Sequence, residues 1–177
     1  LDSSQITFSA TQLSVLGAAQ IDAFEAADIA VLSTQQIRGL TVTEVRALNV
    51  TQMAVLASSQ LAALTSVQLG GLTTTQLGTL NTTQAAGLTT TQLAGLKTSQ
   101  VAGLGTTLLA ALTTTQVAGL PAAAVGGLST TQLGALDTTQ LAALTTAQMT
   151  GFSSSQLGAM AVSQLNALTA TQIGGLS

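Results

Sequence analysis

Residues that could do acid–base or metal chemistry are scarce in this chain. Its 177 residues include six acids and three bases, and His, Cys, Trp and Tyr do not occur. Without imidazole or thiolate groups there is no usual general base, no Cys nucleophile and no ordinary zinc site. No pair of carboxylates lies in a recognisable site motif. We therefore expect a protein that is not an enzyme, with no catalytic, cofactor-binding or metal-binding residues and no cofactor.

The few charges concentrate near the start of the chain. Besides Asp2 they are Asp22, Glu25, Asp28, Arg38, Glu44 and Arg46, and beyond residue 50 only Lys97 and Asp137 are charged. One interpretation is that this region approaches one end of the molecule and carries a more polar surface. The other is a weak cation site built from Asp22, Glu25 and Asp28, although calcium needs about six to eight oxygen ligands. Three bases are too few for a nucleic-acid surface, so no nucleic-acid partner is expected.

Hydropathy raises the question of a membrane span, because 46% of the residues are hydrophobic. The longest stretch without polar side chains is 117–128, which is too short to cross a bilayer and contains Pro121. No membrane span is predicted. The chain starts at Leu1 without Met and without a signal-like segment, so we expect a piece of a longer protein or a processed form.

An eight-residue repeat dominates the sequence. From Phe8 to Leu176 an apolar residue falls on every eighth position, and Gln usually follows four residues later. The consensus reads Leu-Thr-Thr-Thr-Gln-Leu-Ala-Gly, and about 22 such octads cover the chain. Asp28 and Glu44 take the Gln position, while Leu108 and Ala124 interrupt it. We predict a single repeat array over residues 1–177, more divergent and charge-bearing in 1–48 and regular in 49–177.

The octad favours a short helix over a long helix or a strand. In one long helix an eight-residue period would rotate the apolar positions by about 80° per octad, so no stripe would form. The residue after each recurrent Leu is usually a good N-cap, and Gln three residues later completes a capping box. The Leu before the cap and the apolar residue after Gln then form a hydrophobic staple, as in Leu72 and Leu77. The predicted N-caps are Ser9, Gly17, Ser33, Thr41, Asn49, Thr65, Thr73, Asn81, Thr89, Gly105, Thr113, Ser129, Asp137, Thr145, Ser153 and Thr169.

Such helices, of about one and a half turns each, would not survive alone in water, so they must stack around one core. The fold prediction is an all-α solenoid of short capped helices, one per octad; the alternative is a β-solenoid. We expect two or three helices per coil, with Gly127, Gly151 and Gly175 favouring three. Counted from the N-cap, the seventh residue of most octads is Gly or Ala, which permits a left-handed helix stop or close packing. Gln side chains are expected to form a ladder between units, in which they satisfy one another.

Thr and Ser triplets allow three functional interpretations, one of which is that they are glycosylation acceptors. The first Thr caps a helix and the next two lie on an exposed first turn, which predicts a neutral surface. Alternatively the exposed hydroxyls bind a surface such as ice or a polysaccharide, which a β-solenoid would present more regularly. Few charges also leave little electrostatic protection against self-association, either end to end or lateral.

The units LTTTQLGTLNTTQAAGLTTTQLAGL of residues 72–96, and their continuation to Leu104, resemble octapeptide arrays of very large bacterial surface proteins, which are often labelled haemagglutinin-like, adhesin or haem-utilisation proteins. The resemblance covers essentially the whole chain. It implies an extracellular or cell-surface stalk that holds functional domains away from the cell. The residues do not support the haem label, since His, Cys and Tyr are missing and Met53, Met149 and Met160 fall in core positions.

These observations together predict a structural repeat module. It would form a rod-like stalk or fibre segment of a secreted or cell-surface bacterial protein and would self-associate. The alternative is a Thr-rich module that binds ice or polysaccharide.

Overall fold

The computed structural model describes residues 8–176 of the chain. That range forms 21 α-helices of four to six residues and no β-strand. The all-α prediction is therefore confirmed, and the β-solenoid alternative is wrong for these residues. The helices are α1 (Ala10–Leu13), α2 (Ala18–Asp22), α3 (Ala26–Ala30), α4 (Thr34–Gly39), α5 (Val42–Ala47), α6 (Val50–Val55), α7 (Ser58–Ala63), α8 (Ser66–Gly71), α9 (Thr74–Gly78), α10 (Thr82–Ala86), α11 (Thr90–Ala94), α12 (Thr98–Ala102), α13 (Thr106–Ala111), α14 (Thr114–Ala118), α15 (Ala122–Gly126), α16 (Thr130–Gly134), α17 (Thr138–Ala142), α18 (Thr146–Met149), α19 (Ser154–Ala159), α20 (Val162–Asn166) and α21 (Ala170–Gly174).

Each helix begins as the octad predicts. In α9 the N-cap Thr73 is extended, its hydroxyl accepts from the backbone N–H of Gln76, and the Gln76 side chain accepts from the N–H of Thr73. All the predicted N-cap residues lie at helix N-caps. The side-chain cap is missing only where the residue has no suitable acceptor in place: Gly17, Glu25, Ala57, Lys97, Gly105, Pro121 and Ala161.

The helices wind three to a coil. Every helix packs against the helices three places before and after it, from α1 against α4 to α18 against α21. The described range therefore consists of seven coils of three octads, starting at Ser9 and ending at Leu176, and its helices stack in three columns. Column 1 runs from α1 through α4 to α19, column 2 from α2 to α20, and column 3 from α3 to α21. The sequence prediction of two or three helices per coil thus resolves to three.

A single core runs through the coils. From residue 29 to residue 152 the residue before each N-cap and the residue after each Gln are buried together, as the hydrophobic staple requires. Leu72 and Leu77 are 3% and 0% exposed. The three Met residues lie in this core, as predicted, with Met53 and Met149 fully buried. Each staple packs the residue before an N-cap against the residue after Gln. Because the coils stack, the staple pairs of successive coils belong to one continuous core.

The glycine at the seventh position is a close-packing residue. A Cβ on Gly87 would lie 2.6 Å from the Cβ of Ser58, which is the first helical residue of the stacked helix in the preceding coil. No described residue has a positive φ, so the left-handed stop is the wrong interpretation. Helices end instead in ordinary right-handed or extended conformations, and each turns into the next N-cap.

Candidate functional site

The repeated glutamine joins one coil to the next. Gln76 uses its Oε1 to accept from the N–H of its own N-cap residue, Thr73, at 2.8 Å. Its Nε2 lies 2.7 Å from the carbonyl oxygen of Leu48 and 3.1 Å from that of Val45, both in the preceding coil. One amide therefore caps the start of its own helix and the end of a helix in the coil before it.

These contacts satisfy backbone groups that short helices leave exposed. A helix of five residues has almost no internal hydrogen bonds, so most of its terminal N–H and C=O groups need outside partners. The same pair of carbonyl positions, 28 and 31 residues earlier, receives the amide of Gln52, Gln60, Gln84, Gln92, Gln100, Gln116, Gln132, Gln140, Gln148, Gln164 and Gln172. We call this contact the glutamine bridge.

The expected ladder of Gln side chains bonding one another is wrong. Their Nε2 groups donate to backbone carbonyl oxygens of the preceding coil instead, and no Gln–Gln hydrogen bond occurs within residues 8–176. A signal for the bridge was present in the sequence. Glu would complete a capping box as well as Gln and would also suit the helix dipole. The near-exclusive use of Gln indicates that the position needs an N–H donor as well as an acceptor.

Leu108 in α13 and Ala124 in α15 stand at the Gln position of two octads in the same coil, so two glutamine bridges are missing. Both residues are buried, at 5% and 0% exposure, but neither offers an amide to the coil before it. Two Gln amides join residues up to 104 to those after them: that of Gln116, from Nε2 to the carbonyl oxygens of Leu88 and Ala85 at 2.7 and 2.9 Å, and that of Gln132, from Nε2 to the carbonyl oxygen of Leu104 at 2.8 Å. Four Gln amides cross the next coil junction, after residue 128. The junction between residues 104 and 105, which we call the seam, is therefore the most weakly bridged interface in the second half of the array.

Asp28 and Glu44 make the N-cap contact of the Gln position but not the glutamine bridge. Their carboxylates accept from the N–H groups of Glu25 and Thr41, respectively, as a Gln would. The second oxygen of each, Asp28 Oδ1 and Glu44 Oε1, is buried without a hydrogen-bond partner. At Glu44 this oxygen takes the place of the amide nitrogen that elsewhere donates to the preceding coil. A buried acceptor without a partner is costly, so Glu44 is a local weak point.

The three carboxylates considered as a cation site do not act together. Asp22 accepts from the side chain of Asn49 at 3.0 Å, Asp28 caps α3, and Glu25 is the N-cap of that helix without a side-chain cap bond. No group of three or more acidic, His or Cys side chains within residues 8–176 is placed to hold a metal ion. The structure thus corrects the grouping of Asp22, Glu25 and Asp28 into one site.

The exposed hydroxyls are unevenly distributed over the three columns. Ala and Val interrupt columns 2 and 3, for example at Val67 and Ala123. In column 1 both residues after the N-cap keep hydroxyls through five successive coils. They are Ser58, Ser59, Thr82, Thr83, Thr106, Thr107, Thr130, Thr131, Ser154 and Ser155, and each is exposed or half-buried. We call this set the hydroxyl column.

Fold and interface together define a helical solenoid built from octapeptide repeats. None of the helices α1–α21 is long and apolar enough to cross a membrane. The model of the ALTTAQ repeat family matches residues 21–58, 110–146 and 123–153. The six letters of that repeat occur unchanged at residues 143–148. No curated protein matches the chain. The prediction of a repeat array is thereby confirmed.

Proposed function

We propose that this chain is a structural, non-enzymatic module that forms a rod-like stalk or fibre segment of a secreted or cell-surface bacterial protein. The observation that carries the proposal is the glutamine bridge, which links each coil to the one before it through buried hydrogen bonds. The interface sets no limit on the number of coils, because every coil presents the same surface to the next. That property suits a spacer, in which length matters and no single site does.

The surface chemistry supports the same role. Outside the first 48 residues the exposed side chains are mainly Thr, Ser, Ala and Gly, with Lys97 and Asp137 as the only charges. Changes in ionic strength have little effect on a surface with so few charges to screen. A surface that is little affected by ionic strength suits an extracellular stalk, because such a stalk is exposed to changing salt concentrations. The same low charge is the reason to include self-association, end to end or lateral, in the proposal.

Small-angle X-ray scattering tests the rod. With helices stacked about 8–10 Å apart, seven coils give an array about 55–70 Å long. A compact domain of 177 residues would have a radius of gyration of about 16 Å. We expect a larger value and a distance distribution with the long tail of a rod. A symmetric distribution near the compact value would contradict the proposal.

Antibody labelling of intact source cells tests the location. A cell-surface stalk binds antibodies raised against this chain without permeabilisation and is lost after brief treatment of whole cells with protease. Signal that appears only after permeabilisation would place the protein inside the cell and overturn the surface role, while leaving the rod itself untouched.

The hydroxyl column favours a second candidate function, which is binding to ice or to a polysaccharide surface. Its test is adsorption to ice and to insoluble polysaccharide, with Thr83, Thr107 and Thr131 replaced together by Lys. A matched control replaces Thr43, Thr91 and Thr115, which are equally exposed in column 2. Loss of adsorption in the first variant alone would support this function. No adsorption by the unmodified chain would exclude it.

A further inference from the structure

Two of the three basic side chains of this protein line the same cavity. Arg46 belongs to the second coil and Lys97 to the fourth, so one complete coil lies between them in the stack. The third base, Arg38, holds the same octad position as Arg46 but belongs to column 1 and does not line this cavity. The cavity has a volume of about 230 Å³. Its other lining residues are Gly71, Leu72, Thr73, Thr74, Ser99 and Gln100.

Both cationic groups are available to an external ligand. The hydrogen bonds that Arg46 and Lys97 make with other described residues use their backbone atoms only, and both side chains are exposed. Asp22 holds the position of Arg46 in the preceding coil, but it accepts from the side chain of Asn49 at 3.0 Å instead. Glu44, in the same helix as Arg46, is buried and accepts from the N-cap of that helix. Neither carboxylate therefore neutralises the two cations.

A second cavity, of about 380 Å³, adjoins the first. Gly71 and Lys97 line both cavities. The second is neutral apart from Lys97, and its wall includes Ser66 and the exposed apolar side chains of Val42 and Val67. The two cavities together form one groove, cationic at one end and neutral at the other, which we call the basic groove.

The chemistry of the basic groove fits an acidic saccharide. The Arg46 guanidinium can bind two oxygens of a carboxylate or sulfate at once, and the Lys97 ammonium adds a second positive charge. The hydroxyls of Thr74 and Ser99 make no hydrogen bond within the described residues, so they are free to bind sugar hydroxyls. Two cations are too few for a nucleic acid. Residues 8–176 also lack a strand edge that would pair with an extended peptide.

We propose that the basic groove binds an acidic saccharide, with the anionic group of one sugar unit between Arg46 and Lys97. The neighbouring hydroxyls of Thr74 and Ser99 bind the sugar ring, and the neutral end of the groove accommodates the next unit. The groove lies between columns 2 and 3, whereas the hydroxyl column belongs to column 1, so the two sites are separate. The inference adds a ligand to the proposed stalk and does not depend on that role.

Three single variants of the 177-residue chain test the groove. Lys97→Thr removes one cation and gives α12 the side-chain N-cap that it lacks, so the fold is retained. Arg46→Ala removes the other and introduces the residue that stands at this octad position in Ala94 and Ala118. Arg38→Ala is the matched control, because it removes the same charge at the same octad position outside the groove. Far-UV circular dichroism verifies that each variant remains helical.

Isothermal titration calorimetry at low ionic strength measures the binding of three probes, which are a heparin-derived hexasaccharide, a galacturonate hexamer and neutral maltohexaose. We expect at least one acidic probe to bind and maltohexaose not to bind. Arg46→Ala and Lys97→Thr should each weaken binding by roughly tenfold or more, because each removes a charge-assisted hydrogen bond. Arg38→Ala should bind like the unmodified chain. The preference between the two acidic probes distinguishes a sulfate from a carboxylate ligand.

Three results would overturn the proposal. Failure of both acidic probes to bind excludes the site. An equal loss of affinity in Arg38→Ala indicates attraction by overall charge, without a groove. Binding of inorganic sulfate as tight as that of the hexasaccharide indicates a site for a free anion, without recognition of sugar. None of these results alters the rod in scattering or the labelling of cells, so the stalk function stands or falls separately.

Discussion

At the residue scale, the amide of Gln does two jobs that a carboxylate cannot combine. Its oxygen accepts from the N-cap three residues earlier, and its nitrogen donates to carbonyls 28 and 31 residues earlier, as Gln76 illustrates. Glu44 retains only the first of these contacts and leaves Oε1 buried without a partner. The difference between the two residue types is one N–H₂ group, and it can be tested directly.

Replacing Glu44 with Gln should stabilise the protein. The new amide reaches the carbonyl oxygens of Leu13 and Leu16, which lie 31 and 28 residues earlier, and the unpaired buried oxygen is removed. We expect the free energy of unfolding to rise by about 1–3 kcal/mol. Urea denaturation measures it, and Glu25→Gln, the same change at an exposed position, is the control. Equal stability of Glu44→Gln and the unmodified chain would show that Oε1 already has a donor.

Asp137 gives the array a small dependence on acid pH. Its Oδ1 accepts from the Thr139 hydroxyl at 2.6 Å and from the Gln140 N–H at 2.7 Å, and these bonds hold the pKa of Asp137 below its usual value of 3.8. A lowered folded-state pKa means that the carboxylate stabilises the fold above the unfolded value. That contribution disappears as the pH falls through the lower, folded-state pKa.

The Asp137→Asn variant isolates this effect, because Asn also caps helices but does not titrate in this range. We expect the unmodified chain to be slightly more stable than the variant at pH 6. The advantage should shrink as the pH falls below about 4. Thermal unfolding at a series of pH values measures the difference between the two proteins. A difference that stays constant with pH would show that the charged cap contributes nothing.

At the element scale, helix stability comes from neighbours, since four to six residues cannot hold a helix alone. The helices stack closely enough that some positions admit no side chain at all. Gly126 of α15 and Gly151, which follows α18, meet backbone to backbone. A Cβ on Gly126 would lie 2.7 Å from the Gly151 carbonyl oxygen and 2.9 Å from its Cα.

Gly126→Ala should therefore destabilise the array, whereas Gly134→Ala should not. The two glycines occupy the same position of their octads, but a Cβ on Gly134 meets nothing within 4 Å. We expect Gly126→Ala to lower the free energy of unfolding by about 1–3 kcal/mol through overpacking. Gly134→Ala should raise it by up to about 1 kcal/mol through helix propensity. Both are read from chemical denaturation, and a similar gain in the two variants would refute the close backbone contact.

At the scale of the whole molecule, stability is the sum of coils and of the interfaces between them. Cooperativity then depends on the weakest interface. The seam after residue 104 is crossed by two glutamine bridges, from Gln116 and Gln132, whereas the junction after residue 128 is crossed by four, from Gln132, Gln140, Gln148 and Gln156. Loss of both Gln116 and Gln132 would leave the two sides of the seam joined only by the chain itself and by apolar packing.

Gln116→Ala with Gln132→Ala should split unfolding into two transitions, with residues 9–104 and 105–176 behaving as separate units. Gln140→Ala with Gln148→Ala removes two bridges from the junction after residue 128, which keeps those of Gln132 and Gln156, and should lower stability by about 1–3 kcal/mol per residue without a split. Native-state hydrogen exchange distinguishes the two outcomes by residue. A single cooperative unit in both variants would show that apolar packing alone couples the coils across the seam.

Local chemistry allowed the elements to be predicted from the chain. The substitution of Thr by Ser, Asn and Asp at one octad position indicates a cap, and the staple pair indicates which residues are buried. These features act within eight residues, so a single unit such as 72–79 contains them in full. The domain division at residue 48 remains a prediction, and part of it falls on residues 1–7, outside the described residues. The non-enzymatic character and the extracellular location also remain proposals.

The sequence by itself determined the helix, its cap and its buried face, because each depends on groups a few bonds or one turn apart. Only the tertiary structure decided three helices per coil, the partner of the Gln amide and the reason for glycine at the seventh position. These depend on contacts such as Gln76 with Leu48 and Gly87 with Ser58, which lie 28 and 29 residues apart. The eight-residue pattern itself is the same for coils of two or three units, and the earlier octads do not keep the 24-residue spacing of Gly127, Gly151 and Gly175 that favours three. Packing of the core and pairing of the backbone carbonyls make that choice.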